Sequence, residues 1–239
     1  MTQLKSYAKH ILTASHIRTL GLAGKYSALY NQTYLTVPNS LPTDIIDTLI
    51  KIINSTIEKN SKDDFVWSDQ IGSDIRIIGF ENLIPEYIKH FNVPSHIREI
   101  EAYTGRKVRS WFLMANRTSA ISGNLGSGGG YHRDSPYSHQ IKCIWYLSDV
   151  KENNGPFQVV LNSHRNLVKN RRRYPLGQLR FDRIEDDMVS VLGKKGTLVI
   201  CDTKCIHRGK PIESGSRYAV TLYTSPKENS KEEHLHKLG

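Results

Sequence analysis

The sequence predicts a mainly β domain, a barrel with an α-helical cover at its N-terminal end. Three observations point that way. Short runs rich in β-branched and aromatic residues recur along the chain, separated by clusters of Gly, Pro, Asn and Asp. Helical periodicity is confined to the stretch before about residue 105. A length of 239 residues suits one large barrel or sandwich with an ample core.

Taken in order, residues 1–30 read as a helical cover, with Leu4, Ala8, Ile11 and Leu12 at helical spacing. Thr33 to Val37 is a short strand stopped by Pro38. Asn39 to Asp44 is an acidic, proline-containing helix entry. Ile45, Ile46, Leu49, Ile52, Ile53 and Ile57 then follow the i, i+3, i+4, i+7 pattern of one apolar helix face, which the polar segment 60–64 closes. A strand from Ile75 to Phe80, a helix from Ile97 to Tyr103 and a strand from Val108 to Asn116 come next. Further strands are expected at Gln140 to Leu147, Pro156 to Leu161, Thr197 to Ile200 and Tyr218 to Thr224, and 226–239 reads as a charged tail. No internal repeat is visible.

Composition narrows the function classes. Cys143, Cys201 and Cys205 are too few for a disulfide scaffold and favour a reducing compartment. The Cys-x3-Cys-x-His spacing around Cys201, Cys205 and His207 is not a usual zinc pattern, so these thiols read as small apolar fillers. The first residues lack the features of a signal peptide, and no apolar run approaches the roughly 20 residues needed to cross a membrane. A cytoplasmic protein is expected. The net charge of +10 makes acidic partners plausible.

The strongest chemical signal is Tyr131-His132-Arg133-Asp134 read together with His207. Two imidazoles and one carboxylate form the facial ligand set of non-haem Fe(II), leaving open positions on the metal. In an extended segment, residues i and i+2 project to the same side, so His132 and Asp134 can bite one metal while His207 arrives from another strand. Taken alone, a His-x-Asp triplet is more readily a solvated loop. The surrounding text adds Gly128-Gly-Gly-Tyr-His132-Arg-Asp134-Ser-Pro, Gln140-Ile-Lys-Cys-Ile-Trp-Tyr-Leu, Asn153-Asn-Gly155-Pro, Asn162-Ser-His164-Arg165, Lys195-Gly196-Thr-Leu-Val-Ile-Cys-Asp202 and Ser216-Arg217-Tyr-Ala-Val.

In order and spacing these segments resemble the phytanoyl-CoA dioxygenase family of Fe(II)/2-oxoglutarate oxygenases, from about Thr33 to Ser225. The resemblance implies a double-stranded β-helix, a jelly-roll or cupin-like barrel. It places the iron ligands on His132, Asp134 and His207, and the arginine for the far carboxylate of 2-oxoglutarate on Arg217. A guanidinium suits that task because it grips a carboxylate with two parallel hydrogen bonds and stays charged when desolvated. Arg208 competes for the role, but a neighbour of an inward-facing His207 points outward on a strand. Ser216 or Thr221 could add a hydroxyl. Lys142 and Tyr146 share one face of the strand after the motif and are candidate cosubstrate contacts. The resemblance further implies that O2 is consumed, that 2-oxoglutarate yields succinate and CO2, and that an unactivated C–H bond of a small molecule is hydroxylated. Related halogenases lack the carboxylate that Asp134 supplies, so the resemblance implies hydroxylation or a related desaturation rather than halogenation.

The loops are less decisive. Ser122 to Gly130 is either a flexible connection or a lip over the iron. Asn162 stands where the family often has Pro-Gly, which puts His164 and Arg165 near the barrel mouth as candidate substrate contacts. The long segment 162–187, with Lys169 and Arg171 to Arg173, is a solvated face or a funnel for an anionic or carrier-linked substrate. A nucleic-acid oxygenase is disfavoured because Tyr223 stands where a second arginine is expected. The remaining alternative is a non-catalytic or other-metal binding protein on the same barrel.

Overall fold

In the computed structural model, residues 24–59, 65–135, 138–165, 178–184, 186–229 and 231 are described. Twelve strands form two antiparallel sheets: β1 (Tyr34–Val37), β2 (Val66–Ser68), β3 (Asp74–Ile78), β4 (Ser110–Ser119), β5 (Tyr131–His132), β6 (Ile141–Tyr146), β7 (Phe157–Val159), β8 (Arg180–Phe181), β9 (Val189–Val191), β10 (Leu198–Asp202), β11 (His207–Gly209) and β12 (Ser216–Ser225). The larger sheet runs β1-β10-β6-β12-β4-β3-β2 and the smaller β8-β5-β11-β7-β9. This is the double-stranded β-helix that the family resemblance implies. Of the expected N-terminal cover, residues 1–23 lie outside the described residues; the described part ends in a single helical turn, α1 (Leu29–Gln32).

Alternation along the long strands divides the larger sheet into two faces. On the outer face Leu113, Ala115, Cys143, Trp145, Val220 and Leu222 are all buried, packed with the helices. The inner face carries Lys142, Ile144 and Tyr146 from β6, Arg217, Ala219, Thr221 and Tyr223 from β12, and Asn116 from β4. Helix α2 (Thr43–Glu58) buries Ile45, Ile46, Leu49 and Ile53 against the outer face, and each such side chain contributes about 1.5–3 kcal/mol. Pro42 sits at its N-cap and Asp44 in its first turn, where a negative charge complements the helix dipole. Helix α3 (Val93–Thr104) begins four residues before Ile97 because Pro94 fits the first turn, and it ends on Gly105 with a left-handed φ of 66°.

Other boundaries also shift for local reasons. β3 stops at Ile78, since Gly79 turns the chain with a φ of 78° into a 3-10 turn at Phe80–Leu83. β7 is only three residues long, because Asn162 bends the following segment with a φ of 62°. The polar segment 60–64 and the cationic stretch from Lys169 to Arg173 lie outside the described residues.

Candidate metal centre

The site lies between the two sheets. His132 on β5 stands directly opposite His207 on β11 in the antiparallel register, and their ring centroids are 4.3 Å apart. Asp134, two residues beyond His132, turns its carboxylate to the same point: Oδ1 is 3.8 Å from His132 Nε2 and Oδ2 is 3.8 Å from His207 Nε2. The intervening Arg133 sends its guanidinium elsewhere, donating to the carbonyls of Ser163 (2.9 Å) and Lys204 (2.6 Å). Among the described residues this is the single cluster of His, Cys, Asp or Glu with metal-ligand proximity, its donor atoms all within 4.8 Å of one another.

The donors are prepared for a cation. His132 Nδ1 bonds the Gly130 carbonyl at 2.9 Å and His207 Nδ1 the Cys205 carbonyl at 3.0 Å. A carbonyl only accepts, so each Nδ1 carries the hydrogen and each Nε2 presents its lone pair toward Asp134. Burial lowers the pKa of both rings; for His207, with His132 adding to the effect, it falls to about 3. Both imidazoles are therefore neutral at ordinary pH. Burial alone would raise the Asp134 pKa, but Lys142 foremost, with the two histidines, holds it well below the usual carboxylate range. Lys142 Nζ lies 2.8 Å from Asp134 Oδ2. Burial opposes that ammonium, while Asp134 and Tyr223 raise its pKa. Two neutral imidazoles and one carboxylate suit a divalent ion with open positions.

A cavity of about 670 Å³ opens in front of these donors. Arg217 lines it and is only 5 % exposed. Its Nη1 donates to the carbonyl of Gly155, but its Nε has no partner. A buried guanidinium N–H left unpaired costs free energy unless a ligand accepts from it. Gly155 has a φ of 75°, and a Cβ there would come within 2.5 Å of Ile212; the Asn153-Asn-Gly155-Pro turn thus does more than reverse the chain. Arg208 points away, donating to Gln158 Oε1 at 2.8 Å and stacking over Tyr131. Thr221 lines the cavity, whereas the Ser216 hydroxyl pairs with Ser119 at 3.0 Å. The Tyr146 ring lines the cavity too, yet its hydroxyl donates to Val191 O at 2.9 Å and accepts from Phe157 N at 3.3 Å.

Two expectations are corrected. His164 does not reach the cavity: it is fully buried, its Nε2 donates to Tyr30 O at 3.1 Å, and its ring packs against those of Tyr30 and His139. Arg165 donates to Asn31 Oδ1 at 2.7 Å and stacks over Tyr30. The cause is Asn162, which takes up the left-handed conformation and whose N–H donates to Thr33 Oγ1 at 2.8 Å, fastening this segment to α1 and β1.

The structure also brings in residues that no motif singles out. Asp74 and Arg76 on β3 form a buried pair at 2.6 Å inside the cavity, with Asn116 beside them. The pairing of β3 with β4 and of β4 with β12 carries Asp74 across Thr118 to Arg217. Polar Asp74 and Arg76 at alternate positions of an otherwise apolar β3 were the one available signal. The rim adds Trp67, Ile71, Leu125 and Leu179, and Arg180 stands beside the glycine-rich loop.

HygX from Streptomyces hygroscopicus, with nickel and 2-oxoglutarate bound, has the same fold at a TM-score of 0.59 and 13% identity, covering 84% of this chain and 85% of its own. The non-haem alpha-ketoglutarate-dependent carbocyclase SnoK from nogalamycin biosynthesis superposes at 0.62 with 17% identity, covering 88% of each chain. A prolyl-4-hydroxylase of Pseudomonas putida gives 0.55 with 11% identity, over 84% of this chain and 96% of its own. A search of curated protein sequences finds no match. A family model, phytanoyl-CoA dioxygenase (PhyH), matches residues 90–219, a span that begins before α3 and takes in every donor of the centre as well as Arg217. Since that span is more than half of the 239 residues, the chain belongs to the phytanoyl-CoA dioxygenase family.

Proposed function

We propose that this protein is an Fe(II)- and 2-oxoglutarate-dependent oxygenase that hydroxylates an unactivated C–H bond of a small molecule. The observation that carries the reading is the pairing, in one cavity, of the His132–Asp134–His207 centre with a buried Arg217 whose Nε has no partner. The three donors would hold Fe(II), and Arg217 would take the far carboxylate of 2-oxoglutarate. Bound there, iron and cosubstrate supply the oxidising power, and O2 is the third reactant.

The chain's own contribution is placement. The Gly130 and Cys205 carbonyls fix which nitrogen each imidazole presents. Lys142 orients the Asp134 carboxylate and brings a positive charge to the cavity wall, where it could also meet a carboxylate of the cosubstrate. Tyr146 contributes a ring rather than a hydroxyl, because backbone groups already engage its oxygen. The Gly155 carbonyl sets the direction of Arg217. The carboxylate of Asp134 occupies the place that halogenases leave for halide, which supports hydroxylation. For the substrate, the net charge of +10 and the cations in the cavity support an anionic or carrier-linked small molecule.

The test is succinate formation. Protein reconstituted with Fe(II) under argon, then exposed to O2 and 2-oxoglutarate, should release succinate, and faster with the true substrate present. Fe(II)-independent succinate formation, or none with any substrate in a broad panel, would defeat the proposal. Its kcat/KM with an anionic substrate should fall as salt is added, because screening acts over roughly 8–10 Å at physiological strength; a flat salt profile would remove the anionic assignment.

A further inference from the structure

The glycine-rich loop before β5 is packed onto the metal centre, and one side chain holds it there. Arg180 on β8 pairs directly with His132 on β5 in the antiparallel register, so both side chains leave the small sheet on the cavity side. Its Nη1 donates to two successive carbonyls of the loop, Gly128 O at 3.0 Å and Gly129 O at 2.9 Å. Gly128 itself lies against the His132 ring: a Cβ there would sit 2.6 Å from Cε1 and 3.3 Å from Nε2. The next carbonyl, Gly130 O, receives His132 Nδ1. The imidazole is thus confined by Gly128 on one side and by Gly130 at its far nitrogen, and Arg180 grips the peptides between them.

We infer that Arg180 is a positioning residue for the metal centre: by fixing the Gly128–Gly130 backbone it sets the orientation of His132. This rests on the reading of His132 as a metal ligand. Two physical points favour it over a merely structural cross-link. β5 has two residues, paired with β8 at both and with β11 at one, so little ladder pairing is available to hold the ring. Successive glycines at φ values of 90°, 66° and 92° also give the loop many alternative paths, and one guanidinium nitrogen donating to two successive carbonyls selects one of them.

The test reads metal retention rather than turnover. Wild-type protein, Arg180→Ala, Arg180→Lys and Gly128→Ala are loaded with Fe(II), and its release to a chelator is followed; the Co(II)-substituted forms report ligand geometry through their visible absorption. Arg180→Ala should release iron at least tenfold faster and alter the Co(II) spectrum, with the melting temperature of the metal-free protein unchanged. Gly128→Ala should move both readouts the same way, because its Cβ displaces the ring, and Arg180→Lys should recover part of the loss. An Arg180→Ala release rate within threefold of wild type overturns the inference. So does a fall in the metal-free melting temperature that accounts for the faster release. If the wild-type protein binds no Fe(II), the reading of the centre itself has failed, which is a separate result.

Discussion

The two sheets solve different problems. The larger one has strands of up to ten residues, an outer face fused to the helical core, and side chains whose direction follows from simple alternation. The smaller one has strands of two or three residues, yet it carries both histidines of the candidate centre. In the first, position is set collectively, by many buried contacts. In the second it is set singly, by a carbonyl, a glycine or a guanidinium at each ligand. Substitutions should therefore separate cleanly into those that unfold the protein and those that empty the site.

The largest effect should come from the smaller sheet. His207→Ala removes a ligand, and loss of a mere supporting partner typically lowers metal affinity 10–100-fold, so iron affinity should fall by more than about 100-fold. Metal analysis after anaerobic loading should find little iron in a protein whose melting temperature in the metal-free state is close to wild type; undiminished iron would remove His207 from the centre. The larger sheet should show the reverse. Trp145→Ala deletes a fully buried side chain of the helix-backed face and should cost about 3–5 kcal/mol in denaturant unfolding. A loss below 1 kcal/mol would mean that this face is not the collective core described above.

Arg217→Ala tests the junction of the two, a side chain of the large sheet gripped by the turn that joins the sheets. It should weaken 2-oxoglutarate binding by about 2–5 kcal/mol, measured by calorimetry on metal-loaded protein, while leaving iron in place. If Arg208→Ala does this instead, the anchor has been misassigned. A smaller effect concerns His164, whose pKa burial lowers to about 4. Its folded value lies below the unfolded one near 6.5, so the unfolded chain binds the extra proton between these limits. Stability is then complete above about pH 6.5 and is lost as pH falls toward 4, by about 2 kcal/mol at pH 5 from this residue. His164→Gln should flatten that part of the profile; an unchanged slope would show that other groups set it.

The contrast between the sheets also explains what could be read in the sequence. The larger sheet and α2 were legible because periodicity reports faces: Ile45 to Ile57 repeats as a helix, and Gln140 to Leu147 reads as a buried strand. The centre was legible for another reason. His132, Asp134, His207 and Arg217 carry scarce chemistry at a recurring spacing, and alternation told Arg217 from Arg208. What stayed hidden depends on contacts between distant segments. Nothing local in Arg180 announces that it will meet Gly128, and nothing in Asn162-Ser-His164 shows that a left-handed Asn162 will turn His164 into the interior. Strands as short as β5, β8, β9 and β11 have no period to detect.

The single residue pair joining β5 to β11 has a consequence for how the protein moves. Although β8 and β7 flank these two strands, a link of one pair should open at lower free energy than β12, which is paired with β4 along ten residues. A cation bound by His132 and His207 would tie these two strands together and favour the closed form in proportion to its own affinity and concentration. In deuterium exchange, the amides around His132 and His207 should therefore slow sharply when Fe(II) is added under argon, while those of β12 keep the same pace. Metal occupancy would then be visible in the backbone itself, without any substrate in hand.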